Sequence, residues 1–152
     1  MTYMPNSSDA TPSRSQRCAI YISDWQMQCC GTPFKIGDAV GWLVCKYEDD
    51  WQDKALHGAE YYYEHHSADW NKLYMATGIV DTIIARYCRY ESLPNPNMKQ
   101  GSIRYPVYQK SVGITEADGW EADIDGLVFF SYLVELRDCT IRPAKEDEVT
   151  FE

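Results

Sequence analysis

Short runs in which apolar and polar residues alternate recur along the chain, and they predict β-strands joined by loops. Residues 18–25 form a β-branched and aromatic run, which is the first strand candidate. A turn follows, because Pro33 fixes its own φ angle and Gly37 opens a glycine–aspartate step. Large apolar residues then recur at every second position of residues 39–47, which predicts a second strand. Its inner face would carry Val40, Trp42 and Val44.

Residues 73–91 predict a long strand that is interrupted at Gly78. An isolated glycine inside a strand typically marks a bulge or a sharp bend. Beyond this glycine, alternation with a period of two assigns Val80, Thr82 and Ile84 to one face. The opposite face receives a second set of residues: Ile79, Ile83, Ala85 and Tyr87.

The C-terminal half predicts one edge strand and one central strand. Pro106 lies in the short run 103–108 and cannot donate a hydrogen bond to a neighbouring strand, which favours an edge position. Residues 127–143 form the longest apolar run and predict a central strand. Residues 48–72 show no clean period and read as one long insertion. The sequence therefore predicts a mainly β fold, either a small bent antiparallel sheet or an SH3-like or OB-like barrel of five to seven strands.

The length of 152 residues suits a single domain. We expect a flexible leader at residues 1–17, one β-rich domain at 18–142 and an acidic tail at 143–152. No stretch reaches the roughly 18 apolar residues that a membrane helix needs. The N-terminus also lacks the apolar core of a signal peptide. The sequence therefore predicts a cytoplasmic protein that does not bind membranes.

The chain carries 23 acidic and 14 basic residues, so its formal net charge is −9. This charge repels phosphate backbones and removes the attraction on which most nucleic-acid binding depends. We therefore expect no direct contact with nucleic acid. A basic protein partner fits the charge, and solubility alone would also explain it.

The segment DWQMQCCGTPFKIGDAVGW resembles a family of small bacterial proteins of unknown function. Members are similar in carrying an Asp-Trp-Gln step, a Cys-Gly turn and a Phe-x-x-Gly-Asp-x-Val-x-Trp hairpin. These features fall on Asp24, Trp25, Gln26, Cys30, Gly31, Phe34, Gly37, Asp38, Val40 and Trp42. The resemblance spans about residues 20–90. It implies one compact domain and no particular activity.

The chain has six cysteines: Cys18, Cys29, Cys30, Cys45, Cys88 and Cys139. Without a secretion signal, reduced thiols are expected rather than three disulfides. Three of the cysteines lie inside apolar runs, where a thiol behaves as a small buried hydrophobe. We expect the adjacent pair to close the first strand and enter the turn.

The adjacent cysteines and a pair of histidines suggest a metal site, because thiolate and imidazole are the usual zinc ligands. The candidate ligands are Cys29, Cys30, His65 and His66. Adjacent residues on a strand point to opposite faces, so each pair would offer one ligand. Cys45, His57 or a carboxylate would complete the set. The alternative is that no cofactor is bound, with a buried cysteine beside a turn and two exposed histidines.

A cysteine nucleophile is a further alternative, with Cys30 activated by His66 and oriented by Asp24 or Glu64. The sequence contains no oxyanion-hole signature, no phosphate-binding glycine loop and no serine-hydrolase or zincin motif. We therefore assign no catalytic residue, and the sequence favours a binding protein over an enzyme. A metal-dependent hydrolase with a Cys/His zinc site is the rival hypothesis.

Acidic and aromatic residues cluster in two segments, and they predict a surface for a basic protein. Exposed Tyr and Trp are enriched at interface hot spots. The candidate contacts are Asp49, Asp50, Trp51, Asp53, Tyr62, Glu64, Trp70, Asp118, Glu121 and Asp123. The function hypothesis is a small acidic intracellular binding protein of the inhibitor or immunity type, which could mimic the charge of nucleic acid. Solvated loops and aromatic core packing are the alternative explanation.

Overall fold

The fold is mainly β in the computed structural model of the chain, which describes residues 16–47, 58–64, 70–94 and 102–149. The strands are β1 (Cys18–Ser23), β2 (Phe34–Lys35), β3 (Ala39–Lys46), β4 (Tyr61–Tyr63), β5 (Tyr74–Pro94), β6 (Ser102–Ile114), β7 (Glu116–Ala117) and β8 (Val128–Pro143). One α-helix, α1 (Asp24–Cys30), and two 3-10 helices, Trp70–Lys72 and Glu146–Glu148, accompany them. The predicted fold class is confirmed.

Six strands form one mixed sheet in the order β3-β4-β1-β8-β5-β6, and β2 pairs with β7 in a small second sheet. Strand β3 also pairs with β5, which bends the large sheet back on itself. All pairs are antiparallel except β1 with β4, which run parallel. The expectation of a purely antiparallel sheet is therefore wrong for this one pair.

Strand β8 occupies the central position that its apolar run predicts, between β1 and β5. Its Tyr132, Val134 and Leu136 are fully buried at alternate positions, as expected for a strand with one face on the core. The predicted inner face of β3 is also confirmed, because Val40, Trp42 and Val44 all pack in the main core cluster. Strand β6 lies at the sheet edge, where Pro106 predicts it.

Gly78 marks an irregularity, as its isolated position in the strand predicts, because the register between β5 and β8 shifts between Thr77 and Ile79. A Cβ atom at Gly78 would stand 2.9 Å from the carbonyl oxygen of Arg137, so the two backbones approach too closely for a side chain.

A second register shift, between Val80 and Thr82, is not visible in the sequence. It moves Val80 onto the core face that carries Ile83, Ala85 and Tyr87. The assignment of Val80 to the face of Thr82 and Ile84 is therefore wrong, because one extra residue in a strand reverses the alternation.

Cys18 and Cys139 form a disulfide with their Cα atoms 6.3 Å apart, so the expectation that all six cysteines are reduced is wrong for this pair. The backbone N–H of Cys139 also donates to the carbonyl of Gln16 at 2.8 Å, which holds the start of β1 beside β8. Cystines are typical of oxidising compartments, and the cytoplasmic location stays a prediction. The other four cysteines are thiols, and Cys88 is fully buried.

Residues beyond β8 pack against the sheet. Ala144 is buried with Leu43 and Leu73 in a small second cluster, and its N–H donates to the Leu73 carbonyl at 3.0 Å. Arg142 holds Glu148 through two hydrogen bonds of 2.9 and 2.5 Å. Within the described ranges, no helix has the length and apolar character needed to cross a membrane.

Candidate functional site

Residues 24–30 form α1, so the predicted strand ends at Ser23 rather than continuing to the cysteines. Ser23 occupies the N-cap position and Asp24 lies in the first turn, where a negative charge interacts favourably with the helix dipole. Gln26 and Met27 face the core and are buried. The helix ends at Cys30, and the N–H of the next residue, Gly31, donates to the Gln26 and Met27 carbonyls at 3.1 Å.

The two adjacent cysteines are in contact at the end of α1. The Sγ atoms of Cys29 and Cys30 are 2.7 Å from each other. Cys29 is exposed and its Sγ also lies 3.6 Å from the Gln26 carbonyl, whereas Cys30 is half-buried. The expectation that they point to opposite faces is wrong, because it assumed a strand at this position.

Tyr63 of β4 packs beneath the end of α1. The Gln26 side chain donates to the Tyr63 carbonyl at 3.0 Å, which fastens the helix to β4. Burial, with a smaller effect of the nearby Cys30 and Cys29, raises the pKa of the Tyr63 hydroxyl to about 12. Tyr63 is therefore a neutral phenol beside the two thiols at neutral pH.

A cleft of about 480 Å³ opens beside Cys30. Its walls combine aromatic, apolar and thioether side chains with a few polar ones: Cys30, Thr32, Pro33, Phe34, Asp38, Ala39, Val40, Gly41, Trp42, Leu43, Tyr63, Met75 and Glu148. Phe34 and Trp42 meet edge to face, with ring centroids 4.9 Å apart, and form its floor with Tyr63.

The structure tests the predicted metal site only in part. Among residues 16–47, 58–64, 70–94 and 102–149, no three His, Cys, Asp or Glu side chains come together as a metal cluster. His57, His65 and His66 lie outside the described residues. Zinc binding by Cys29 and Cys30 with these histidines stays a prediction.

A second feature is the acidic loop, residues 118–127, which connects β7 to β8. Gly119 fixes this loop onto α1. The N–H of Gly119 donates to the Tyr132 hydroxyl at 2.8 Å, and its carbonyl accepts from the Gln28 side chain at 2.8 Å. Gly119 has a φ of +90°, and a Cβ there would stand 2.8 Å from Cγ of Met27. Only glycine fits this position, because the left-handed backbone and the close approach both exclude a side chain.

The residues around Gly119 hold one another in place and leave a tryptophan in solvent. Tyr132 donates from its hydroxyl to the Glu121 carboxylate at 2.7 Å. The backbone N–H of Trp120 donates to the Asp118 carboxylate at 2.8 Å. The Trp120 side chain is nevertheless 68% exposed. An indole held this far out of the core by a fixed loop is unusual, because large aromatic rings are normally mostly buried.

A cleft of about 560 Å³ lies between this loop and β2. Four carboxylates and one ammonium group line it, together with Trp120, Phe34 and smaller apolar residues. The charged residues are Lys35, Asp38, Glu116, Asp118 and Glu121. The cleft is therefore acidic.

A family model, described as a family of unknown function (DUF6578), matches residues 16–138. The chain belongs to this family. The DUF6578 match includes α1, the acidic loop, the acidic cleft and every residue of the cleft beside Cys30 except Glu148. Comparisons with curated proteins and with solved structures give no match.

The predicted contact residues of this DUF6578 member separate into groups. Asp118, Glu121 and Asp123 lie together in the acidic loop, whereas Tyr62 and Glu64 lie at β4, between β1 and β3. The ring of Tyr62 packs on that of Tyr47 at 4.8 Å. The remaining candidates are Asp49, Asp50, Trp51 and Asp53, which lie outside the described residues, and Trp70, which begins a 3-10 helix.

Sequence reasoning missed Trp120 although it singled out the acidic residues on either side. The available signal is the Asp-Gly-Trp-Glu step, because glycine is typical of turns and turns lie at the surface. Trp25, on the first turn of α1, is also exposed, at 54%. It lies three residues before Gln28, so both fall on the helix face next to Gly119.

Proposed function

We propose that this DUF6578 member binds a basic protein through its acidic loop. The loop surface comprises Asp118, Trp120, Glu121 and Asp123. One observation carries the proposal: the Gly119 backbone is hydrogen-bonded to Tyr132 and Gln28 while the neighbouring Trp120 is 68% exposed. A side chain exposed on a fixed backbone is a feature of recognition sites.

The fixed backbone reduces the entropic cost of association. A loop that is already held in its bound shape loses less freedom when a partner docks, so more of the contact energy appears as affinity. Tryptophan is among the residues that contribute most to protein interfaces. Trp120 is therefore the expected anchor, and the cleft beside it supplies the surrounding contacts.

The charges of the loop surface and the cleft select the partner. Asp38, Glu116, Asp118 and Glu121 outnumber Lys35, and the chain as a whole carries a charge of −9. A carboxylate that accepts one hydrogen bond within its loop still has acceptor positions for an arginine or lysine of the partner. Electrostatic attraction would also speed the encounter.

An inhibitor or immunity role is the specific form of this proposal. Carboxylates spaced along a rigid loop can occupy the phosphate-binding groups of a basic protein and so mimic nucleic acid. The resemblance to small bacterial proteins suggests a bacterial setting for such a role. A cytoplasmic setting would require the Cys18–Cys139 disulfide to resist the thiol pool.

A polyarginine peptide titrated into isotopically labelled protein would test the proposal by NMR. We expect shifts of the Trp120 indole N–H and of the amides of residues 118–123, with an affinity that falls steeply as salt rises. Trp120→Ala should weaken binding by about tenfold or more. Asp123→Asn should weaken it less, while Glu146→Gln, which removes a charge from a 3-10 helix elsewhere, should leave it unchanged. Salt-independent binding, or shifts confined to other surfaces, would contradict the proposal.

A metal site is the second candidate, and the convergence of the Cys29 and Cys30 sulfurs favours it. Two thiolates at one point supply half of a tetrahedral zinc site, and His65 and His66 would supply the other two ligands. Elemental analysis of protein purified without chelators should then find about one zinc per chain. Cys29→Ser should remove it, whereas Cys88→Ala, which changes a cysteine outside the candidate ligand set, should not. A stable protein that holds no metal would exclude this candidate.

A further inference from the structure

We propose that Cys29 and Cys30 form a dithiol site that exchanges with low-molecular-weight disulfides, of which glutathione disulfide is the type. The proposal is independent of the basic-partner hypothesis. It starts from the direct contact of the two Sγ atoms, which are 2.7 Å apart, whereas a formed disulfide has roughly 2.05 Å between its sulfurs. The Cys18–Cys139 cystine shows that the same chain can carry an oxidised pair.

The two thiols differ in access, which assigns their order of reaction. Cys29 is exposed on the last turn of α1, whereas Cys30 is half-buried at the cleft lined by Phe34 and Trp42. An incoming disulfide therefore meets Cys29 first. Cys30 lies next to the sulfur that has reacted and can attack it in turn.

The end of a helix can accommodate a ring between adjacent cysteines. Closing that ring changes the backbone at two residues, which an internal helical turn would resist because of its hydrogen bonds on both sides. Cys29 and Cys30 are instead the last two residues of α1, and Gly31 and the exposed Thr32 follow them. The change can be absorbed where the chain leaves the helix.

The exchange balances without any further reactant. The Cys29 thiolate attacks one sulfur of the disulfide R–S–S–R, which forms a mixed disulfide and releases one thiolate, RS⁻. The Cys30 thiolate then attacks Sγ of Cys29 and releases the second thiolate. The protein dithiol loses two electrons and two protons, and the disulfide is reduced to two thiols, RSH.

Exchange with a disulfide requires fewer groups than metal binding does. It needs only two sulfurs, whereas a tetrahedral zinc site needs four ligands. The neutral Tyr63 beneath them places no negative charge beside a forming thiolate. The apolar walls of the cleft, including Leu43 and Met75, would contact the carbon chain of the disulfide.

Intact mass spectrometry of the full chain tests the proposal. The protein is first treated with a chelator and a mild thiol, under conditions in which Cys18–Cys139 persists. Glutathione disulfide should then remove the mass of two hydrogens from the protein, with release of two glutathione molecules. Trypsin should yield residues 18–35 cross-linked to residues 138–145, because Pro143 blocks cleavage after Arg142, with the new disulfide inside the first peptide.

Variants assign the two roles. Cys30→Ser should trap a mixed disulfide on Cys29, and Cys29→Ser should slow the reaction severalfold. The Cys45→Ser variant should form the Cys29–Cys30 disulfide as the unmodified protein does. A mixed disulfide that persists on the unmodified protein, the absence of any reaction, or closure that survives Cys30→Ser would overturn the proposal.

A reagent that bridges neighbouring thiols tests the geometry without any substitution. Phenylarsine oxide bonds to two sulfurs and releases one water. We expect one arsenic per native chain and the loss of two titratable thiols, reversed by a small dithiol. Incorporation that consumes only one thiol per arsenic would show that Cys29 and Cys30 cannot act as a pair.

Discussion

The hydroxyl of Tyr132 joins the core to the acidic loop, since it donates to the Glu121 carboxylate at 2.7 Å and accepts from the Gly119 N–H at 2.8 Å. Tyr132 lies on the central strand and is fully buried. Burial, followed by the bond to Glu121, raises the pKa of this hydroxyl well above its ordinary value. The hydroxyl thus remains protonated and able to donate throughout the ordinary pH range.

Tyr132→Phe should lower the free energy of unfolding by about 1–3 kcal/mol, because it leaves the buried Gly119 N–H without its acceptor. Urea unfolding measures the change. Tyr74→Phe is the matched control, since it removes a hydroxyl from a half-buried ring on β5. If the acidic loop binds a basic partner, Tyr132→Phe should also weaken that binding. Equal stability of the two variants would mean that the hydroxyl does not hold the loop.

Gly78→Ala should destabilise the fold by about 1–3 kcal/mol through overpacking. The new Cβ would lie 2.9 Å from the Arg137 carbonyl oxygen and 3.2 Å from Cβ of Leu136. Gly41→Ala is the control within the same sheet, because the nearest atoms to its Cβ would be 3.6 Å away. The urea unfolding midpoints of the two variants measure the difference in stability. A Gly78→Ala midpoint that is no lower than that of Gly41→Ala would contradict the close approach of the two backbones.

Loss of the Cys18–Cys139 disulfide should cost about 2–4 kcal/mol of unfolding free energy, since it restrains a loop with a sequence separation of 121 residues. Urea unfolding of the Cys139→Ser variant and of the unmodified protein, each with and without reductant, measures this free energy. Reductant should destabilise only the unmodified protein. Thiol titration in denaturant should count four thiols before reduction and six afterwards. A count of six at the outset would show that the bridge had not formed.

Glu148 should make stability fall in acid. Its hydrogen bonds from Arg142, the larger cause, and from the Lys145 backbone lower its pKa from 4.5 to about 2. A carboxyl whose folded pKa is lowered contributes stability that is present above pH 4.5 and is lost as the pH falls towards 2. The free energy of unfolding of the Glu148→Gln variant should not show this decrease between pH 4.5 and 2. Urea unfolding of the variant and the unmodified protein across that interval tests this. NMR titration of Glu148 gives the pKa directly, and a value near 4.5 would contradict the prediction.

Alternation along the chain was enough to predict the large strands, because their side chains meet one core. The inner face of β3 and the central place of β8 follow from this single rule. It fails at α1, which has only seven residues. Two turns are too few to show a helical period, and Trp25 and the cysteines resemble strand residues. The second shift in β5, after Val80, depends on its pairing with β8 and leaves no mark in the sequence.

The candidate sites were predictable in composition and not in arrangement. Asp118 and Glu121 were identified from charge, yet the role of Gly119 depends on how Met27 and Tyr132 pack beneath it. The Cys18–Cys139 pairing depends on the docking of the first strand against the last. No local pattern reports a contact between residues so far apart in sequence.

The position of β1 has a consequence for synthesis of the chain. Its six residues pair with residues 131–136 of β8, so the ladder cannot form until nearly the whole protein has left the ribosome. Pairings this distant in sequence are associated with slow folding. Ile20 and Ile22 are buried in the finished fold. Until β8 emerges, these side chains are exposed to solvent or bound by a chaperone.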